Sequence, residues 1–142
     1  MKDVNDAWCI QIEVTNKCEL HCSNCTHLVD YAKKWEMDVD TFKKAVDSLI
    51  DWPRLVGVIG GNPVLHSRYE ELVDYMVKVL PKDRRGMWVS SYGKGDKYKD
   101  LIEKNFAYVN YNPHKEDCSH QPILCSSRDL VPDDKIRRGL ID

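Results

Sequence analysis

Three cysteines fall within eight residues. They stand in Asn16-Lys17-Cys18-Glu19-Leu20-His21-Cys22-Ser23-Asn24-Cys25, which reads C-x3-C-x2-C. Thiolates are soft ligands that favour iron–sulfur clusters or zinc. Spacings this short let one loop wrap a compact cluster and offer three sulfurs to three of its metals. Four cysteines would fill a cubane cluster; three leave one iron open to a small molecule. Zinc held by the same cysteines with His21 or His27 is a legitimate set, although zinc ligands usually arrive as two separated pairs. A helical stripe of small core residues also has i, i+4, i+7 spacing. Against it, Lys17, Glu19, Ser23 and Asn24 are polar, and the stripe gains no further apolar member until Val29.

A second unusual segment, Val58-Ile59-Gly60-Gly61-Asn62-Pro63, closes an apolar run. Glycines let a backbone approach a ligand closely, and proline stiffens a turn. The same dipeptides are also ordinary turn signals. Weaker candidates are Ser90, Ser91 and Tyr92, and Asn110 and Asn112, each at the end of an expected strand. Cys9, Cys118 and Cys125 read as small core residues. His66, His114 and His120 show no partner pattern, and the Arg84-Arg85 and Arg137-Arg138 pairs read as solvated surface.

The elements that must position these residues follow from two apolar periods, 2 and 3.6. Residues 7–14 alternate as a strand with two unlike faces. Phe42, Ala45, Val46, Leu49 and Ile50 make a helical stripe over about 39–51, with Asp38 or Asp40 as its cap and Pro53 beyond its end. Leu55 to Ile59 is a short buried strand. Tyr69, Leu72, Val73, Met76 and Leu80 form a second stripe, stopped by Pro81. Met87 to Ser91 is a strand, Tyr98, Leu101 and Ile102 mark a shorter helix, and Tyr108 to Tyr111 is a fourth strand. A fifth apolar run, Ile123 to Ser126, precedes a last helix near Asp133. Strands alternating with amphipathic helices imply parallel pairing and an α/β fold. Ligands in such folds gather at the carboxyl ends of the strands, where both unusual segments stand.

Composition bounds the rest. The chain has 142 residues, with 21 basic and 23 acidic side chains and a net charge of −2. That length suits one domain, spanning 1–142. The charge balance argues against nucleic-acid binding by charge. No run approaches the roughly 20 apolar residues of a membrane span, and residues 1–14 do not read as a secretory signal. A cytoplasmic setting keeps thiols reduced, which favours a metal or redox role for the close cysteines.

C-x3-C-x2-C directly after the first strand of a βα series resembles the radical S-adenosylmethionine (radical SAM) enzyme superfamily, and Gly60-Gly61-Asn62-Pro63 resembles that family's strand-end G-G-E-P. The resemblance implies that Cys18, Cys22 and Cys25 bind a [4Fe–4S] cluster. It further implies that S-adenosylmethionine chelates the fourth iron, with its amino group held at Gly60, Gly61, Asn62 and Pro63. Asn24 stands where the family commonly has an aromatic residue against the adenine. Ser90 and Asn110 stand where polar strand ends hold the ribose and carboxylate. Asn62 replaces the usual glutamate, keeping a carbonyl acceptor but losing the charge that pairs with an ammonium group.

The implied activity is reductive cleavage of S-adenosylmethionine to a 5′-deoxyadenosyl radical that abstracts hydrogen from a substrate. The electron would come from a donor such as flavodoxin or ferredoxin. The implied fold is a partial (β/α)6-type barrel, here with four to five strands and without the last βα unit. A fragment, a reduced member, or a chain that needs a partner to complete the barrel fits that expectation. Two other classes stand beside the enzyme: a non-catalytic iron–sulfur or zinc-binding α/β module, and an α/β binding protein whose cysteines are structural.

Overall fold

A computed structural model describes residues 6–20, 25, 27, 29 and 32–113. Four strands, β1 (Cys9–Glu13), β2 (Leu55–Ile59), β3 (Arg85–Val89) and β4 (Tyr108–Tyr111), alternate with three helices, α1 (Val39–Asp47), α2 (Tyr69–Val79) and α3 (Lys99–Asn105). The strands form one sheet in the order β1-β2-β3-β4, every pair parallel. The protein is therefore α/β among its described residues, as the alternating periods predict. The expected fifth strand and last helix lie outside the described residues. No described helix is long and apolar enough to cross a membrane.

The alternation in each strand decides which face is buried. Ile12, Val14, Val56, Val58, Met87 and Val89 form a single core cluster with Phe42 and Val46 of α1, Leu72, Val73 and Met76 of α2, and Ile102 of α3. All three helices thus pack on one face of the sheet. Each of these large side chains stabilises the fold by about 1.5–3 kcal/mol on burial. On the other face Trp88 lies across Gly57, with Trp8 and Tyr108 tilted against it at ring-centroid distances of 6.3 and 5.1 Å.

Boundaries of β1, α1 and β3 differ from the sequence reading: β1 spans Cys9–Glu13, inside the expected 7–14, and the shifts in α1 and β3 have local causes. Helix α1 begins where Asp38 caps it, Oδ1 accepting from the Thr41 N–H at 2.9 Å. It ends at Asp47, earlier than the expected residue 51. The carbonyls beyond it are taken by Arg84, whose guanidinium donates to Leu49 O at 2.7 Å and Ile50 O at 2.6 Å. The Arg84-Arg85 pair is consequently no solvated surface: Arg84 closes a helix end and Arg85 is buried. Strand β3 starts at Arg85, paired with Val56, and stops at Val89, so Ser90 and Ser91 leave the ladder and turn their side chains to the strand-end cluster.

Candidate functional site at the carboxyl strand ends

The parallel pairing of β1 with β2 continues past both strands. Val14 N–H donates to Ile59 O at 2.9 Å, Gly61 N–H to Thr15 O at 2.8 Å, and Asn62 N–H to Lys17 O at 2.7 Å. The Gly-Gly-Asn-Pro turn is therefore laced to the three residues that lead into Cys18. Only glycine fits there: a Cβ on Gly60 would stand 2.4 Å from Thr15 O, and one on Gly61 2.4 Å from Lys17 O. Pro63 opens a 3-10 turn, Pro63–Leu65, that carries the chain into α2.

The cysteine segment returns to the strand it left. Buried Asn16 donates to Lys33 O at 3.0 Å and accepts from the Trp35 N–H at 2.9 Å. Thr15 Oγ1 donates to Trp35 O at 2.7 Å, and Met37 N–H donates to Val14 O at 2.8 Å. Thr15 and Asn16 so close the mouth of a loop whose contents include the cysteines. Cys18 and Cys25 are half-buried, and the Leu20 N–H donates to Cys18 Sγ at 3.4 Å. His27 Nδ1 meets Glu13 Oε1 at 3.0 Å. Cys22, His21 and Asn24 lie outside the described residues, as do Cys118, Cys125, His114 and His120. Among the described residues no three His, Cys, Asp or Glu side chains converge on a metal position.

Glu36 braces the loop exit to the turn. Its carboxylate pairs with Lys17 at 2.9 Å and accepts from the Ser67 N–H at 2.6 Å and the Ser67 hydroxyl at 2.7 Å. Burial alone would raise the Glu36 pKa. The hydrogen bonds from Lys17 and Ser67, with His66 nearby, override that and hold it at about 2, against an ordinary 4.5. A depressed carboxyl pKa contributes stability that is present above the unfolded value and lost as pH falls through the folded one. We expect the native state to lose about 1–2 kcal/mol from this group as pH drops from about 5 toward 2, after allowing for solvent screening of the half-exposed Lys17. Urea titrations of the parent and Glu36→Gln over that range check it: the variant should show a shallower acid limb.

Asn62 is the hub of the site. It has no exposed surface. Its Nδ2 lies 2.9 and 3.1 Å from the two Glu19 carboxylate oxygens, 2.9 Å from Ser91 Oγ and 3.4 Å from Ser91 O. Its Oδ1 is buried without a hydrogen-bond partner. The Ser90 hydroxyl points to Glu19 Oε1 at 3.5 Å. Gly60, Gly61, Asn62, Pro63 and Ser90 are thus brought together beside the approach to Cys18. Asn110 Oδ1 accepts from the Asn112 side chain. Tyr92 stacks on Tyr111 with centroids 4.6 Å apart.

Cys9 is half-buried and lies outside the core cluster that the sequence reading placed it in, whereas His66 gains defined partners. Burial pushes the Cys9 thiol above its ordinary pKa, against a Gly57 backbone hydrogen bond that lowers it, which disfavours the thiolate a metal needs. His66 is buried; Nδ1 accepts from the Arg68 N–H at 3.0 Å, so the proton sits on Nε2 and is donated to Met37 O at 2.8 Å. It is a structural histidine. Sequence reasoning missed Thr15, Asn16, Glu19 and Glu36. Only Asn16-Lys17 carries a local signal, a polar break immediately after an apolar strand.

Among the described residues this edge carries the soft sulfur donor Cys18 on the loop that Thr15 and Asn16 close, backbone packed as closely as glycine allows, and the Glu19 carboxylate beside the buried, unpartnered Asn62 carbonyl. Comparison with protein-family models, with curated proteins and with solved structures gives no match to this chain.

Proposed function

We propose that the chain is a radical S-adenosylmethionine protein. Cys18, Cys22 and Cys25 would ligate a [4Fe–4S] cluster, and the Gly60–Pro63 turn with Ser90 would receive the cofactor. The observation that carries this reading is the pair of hydrogen bonds from Gly61 and Asn62 to Thr15 and Lys17, which sets both motifs on one edge. The strand order supports it as well. A doubly wound sheet reverses its order at a switch point, whereas β1-β2-β3-β4 runs in sequence with all described helices on one face, as the wall of a partial (β/α)6-type barrel does. We take residues 1–142 as one such unit, with Ile123 to Ser126 as its fifth strand, working in the reducing cytoplasm with a flavodoxin- or ferredoxin-type electron donor.

When bound, the cluster and S-adenosylmethionine supply one-electron reductive chemistry. The chain's own part is to hold, orient and shield. In this reading the loop closed by Thr15 and Asn16 would offer the three sulfurs to the cluster, the glycines admit the ligand to the backbone, and the core beneath keeps the strand ends rigid. Asn24 and Asn110 are the further contacts in this reading.

One observation favours a second reading, a non-catalytic iron–sulfur or zinc-binding module: the Asn62 amide is already committed to Glu19 and Ser91. A single experiment separates the two. The chain is reconstituted anaerobically with iron and sulfide, then given dithionite and S-adenosylmethionine. About four iron and four sulfide per chain, with 5′-deoxyadenosine formed, is the result expected of the enzyme. A cluster without that product supports the inert module, and zinc without sulfide removes the cluster from the account.

A further inference from the structure

The start of β3 carries more positive charge than the described residues answer. Arg84 gives its guanidinium to three backbone carbonyls, Leu49 O, Ile50 O and Arg54 O. Arg54 in turn donates to the Asp6 carbonyl at 3.1 Å. Each of these acceptors is neutral. Among the described residues no carboxylate forms an ion pair with Arg54, Arg84 or Arg85. Three guanidinium charges therefore gather at the amino ends of β2 and β3, the end of the sheet away from the cysteine loop.

Arg85 is only 6% exposed, and its Nε and Nη1 are buried without a hydrogen-bond partner. It alternates in step with Met87 and Val89, so its side chain enters the helix-covered face. Burial lowers its pKa, and the Asp83 carboxylate opposes that without pairing with it. Trp52, 8% exposed, likewise has its Nε1 buried and unpartnered. Arg84 brackets Trp52, because the carbonyls it holds belong to residues 49, 50 and 54. Apart from the Asn62 carbonyl, every buried unpartnered side-chain atom among the described residues is a nitrogen donor of Arg85 or Trp52. Buried donors call for acceptors, and a buried cation calls for a counter-charge as well. Water would supply oxygens without the charge. A phosphate-type oxyanion supplies both and suits a guanidinium. Arg85 stands at the rim of the sheet, directly after the exposed Pro81, Lys82 and Asp83 and the half-buried Arg84.

We infer that Arg85 and Trp52 form a binding site for a small oxyanion of the phosphate class at the amino ends of β2 and β3. The anion takes the unpartnered N–H groups of both side chains, and the exposed Arg54 and Lys82 add long-range attraction. The site lies apart from the strand-end edge and does not depend on the cofactor reading. A bound anion braces the starts of β2 and β3, the two strands whose far ends lead into residues 60–63 and Ser90.

The test uses the full chain with no cofactor added, at constant ionic strength, with inorganic phosphate as the probe. Concentrations stay below about 20 mM, where general exclusion of the ion from the protein surface contributes little. Relative to chloride, phosphate should raise the melting temperature saturably, by about 5 °C. It should also move the Trp52 indole N–H resonance, assigned by its absence from Trp52→Phe. Arg85→Met removes the buried charge and keeps an apolar stem, so it should melt at or above the parent in chloride and gain nothing from phosphate. Arg85→Lys keeps a charge without the planar fork and should lose most of the phosphate shift, which serves if Arg85→Met does not fold. The inference is overturned by a parent that shows no saturable shift, by a shift that Arg85→Met or Arg85→Lys retains in full, or by an unmoved Trp52 resonance. Acetate acting as strongly as phosphate overturns the phosphate class. Arg85→Met melting below the parent in chloride overturns it too, since the guanidinium would then already have its partner within the chain.

Discussion

A chain carrying Cys18→Ala, Cys22→Ala and Cys25→Ala together is expected to retain no iron after anaerobic reconstitution, yet to keep its far-ultraviolet circular dichroism. The loss should be complete because iron–sulfur clusters are held by thiolates, and alanine leaves no donor. The fold should persist because its stability lies elsewhere. The core cluster is built from β1 to β3 and α1 to α3, and the loop is closed by backbone and by Thr15 and Asn16. Cys9→Ala is the internal control: that thiol sits in β1 with its pKa raised by burial, so iron content should stay at the parent level. Iron retained in the triple variant would exclude these cysteines as the ligands. Loss of bound zinc, with no iron in the parent, would give the same three cysteines a structural metal.

Gly61→Ala should be the most damaging single added methyl among the described glycines. The new Cβ would meet Lys17 O at 2.4 Å, Lys17 C at 2.7 Å and Asn16 C at 3.0 Å. These are backbone atoms, so no side chain can swing aside, and Lys17 O is also the acceptor of the Asn62 N–H. Separating the two segments would strain the packing and loosen the hydrogen bonds that lace them together. We expect a loss of about 2–4 kcal/mol, combining overpacking with one or two weakened hydrogen bonds. That corresponds to a melting temperature lower by roughly 10 °C or more for a domain of this size. Gly95→Ala is the comparison. Its φ is +66° but nothing lies within 4 Å of the added methyl, so only backbone strain opposes it, about 1 kcal/mol. Chemical denaturation of the two variants beside the parent checks the ordering. Gly61→Ala should also weaken cluster retention, because Lys17 adjoins Cys18.

The sequence by itself determined the secondary elements and their order. The 2 and 3.6 periods mark which residues face a core, and that property is local, so Phe42, Val46, Leu72, Met76, Val58 and Met87 were legible as buried from spacing alone. The cysteine spacing and the glycine pair were legible for the same reason: each lies within a few residues of chain. The partners that give those motifs a shape were not. Glu19 reaches Asn62 across 43 positions and Ser90 across 71, while Asn16 grips Trp35 across 19. An isolated polar residue in a loop carries no period and no neighbour pattern, so it looks solvated until the sheet brings its partner alongside. Arg84 and Arg85 make the same point, since their charge implies surface and only the packing at the end of α1 and the start of β3 buries one and occupies the other. Only the tertiary structure decided that the carboxylate at this edge comes from the cysteine loop, because parallel strand pairing sets the ends of β1, β2 and β3 side by side, and no local signal encodes which side chains then meet.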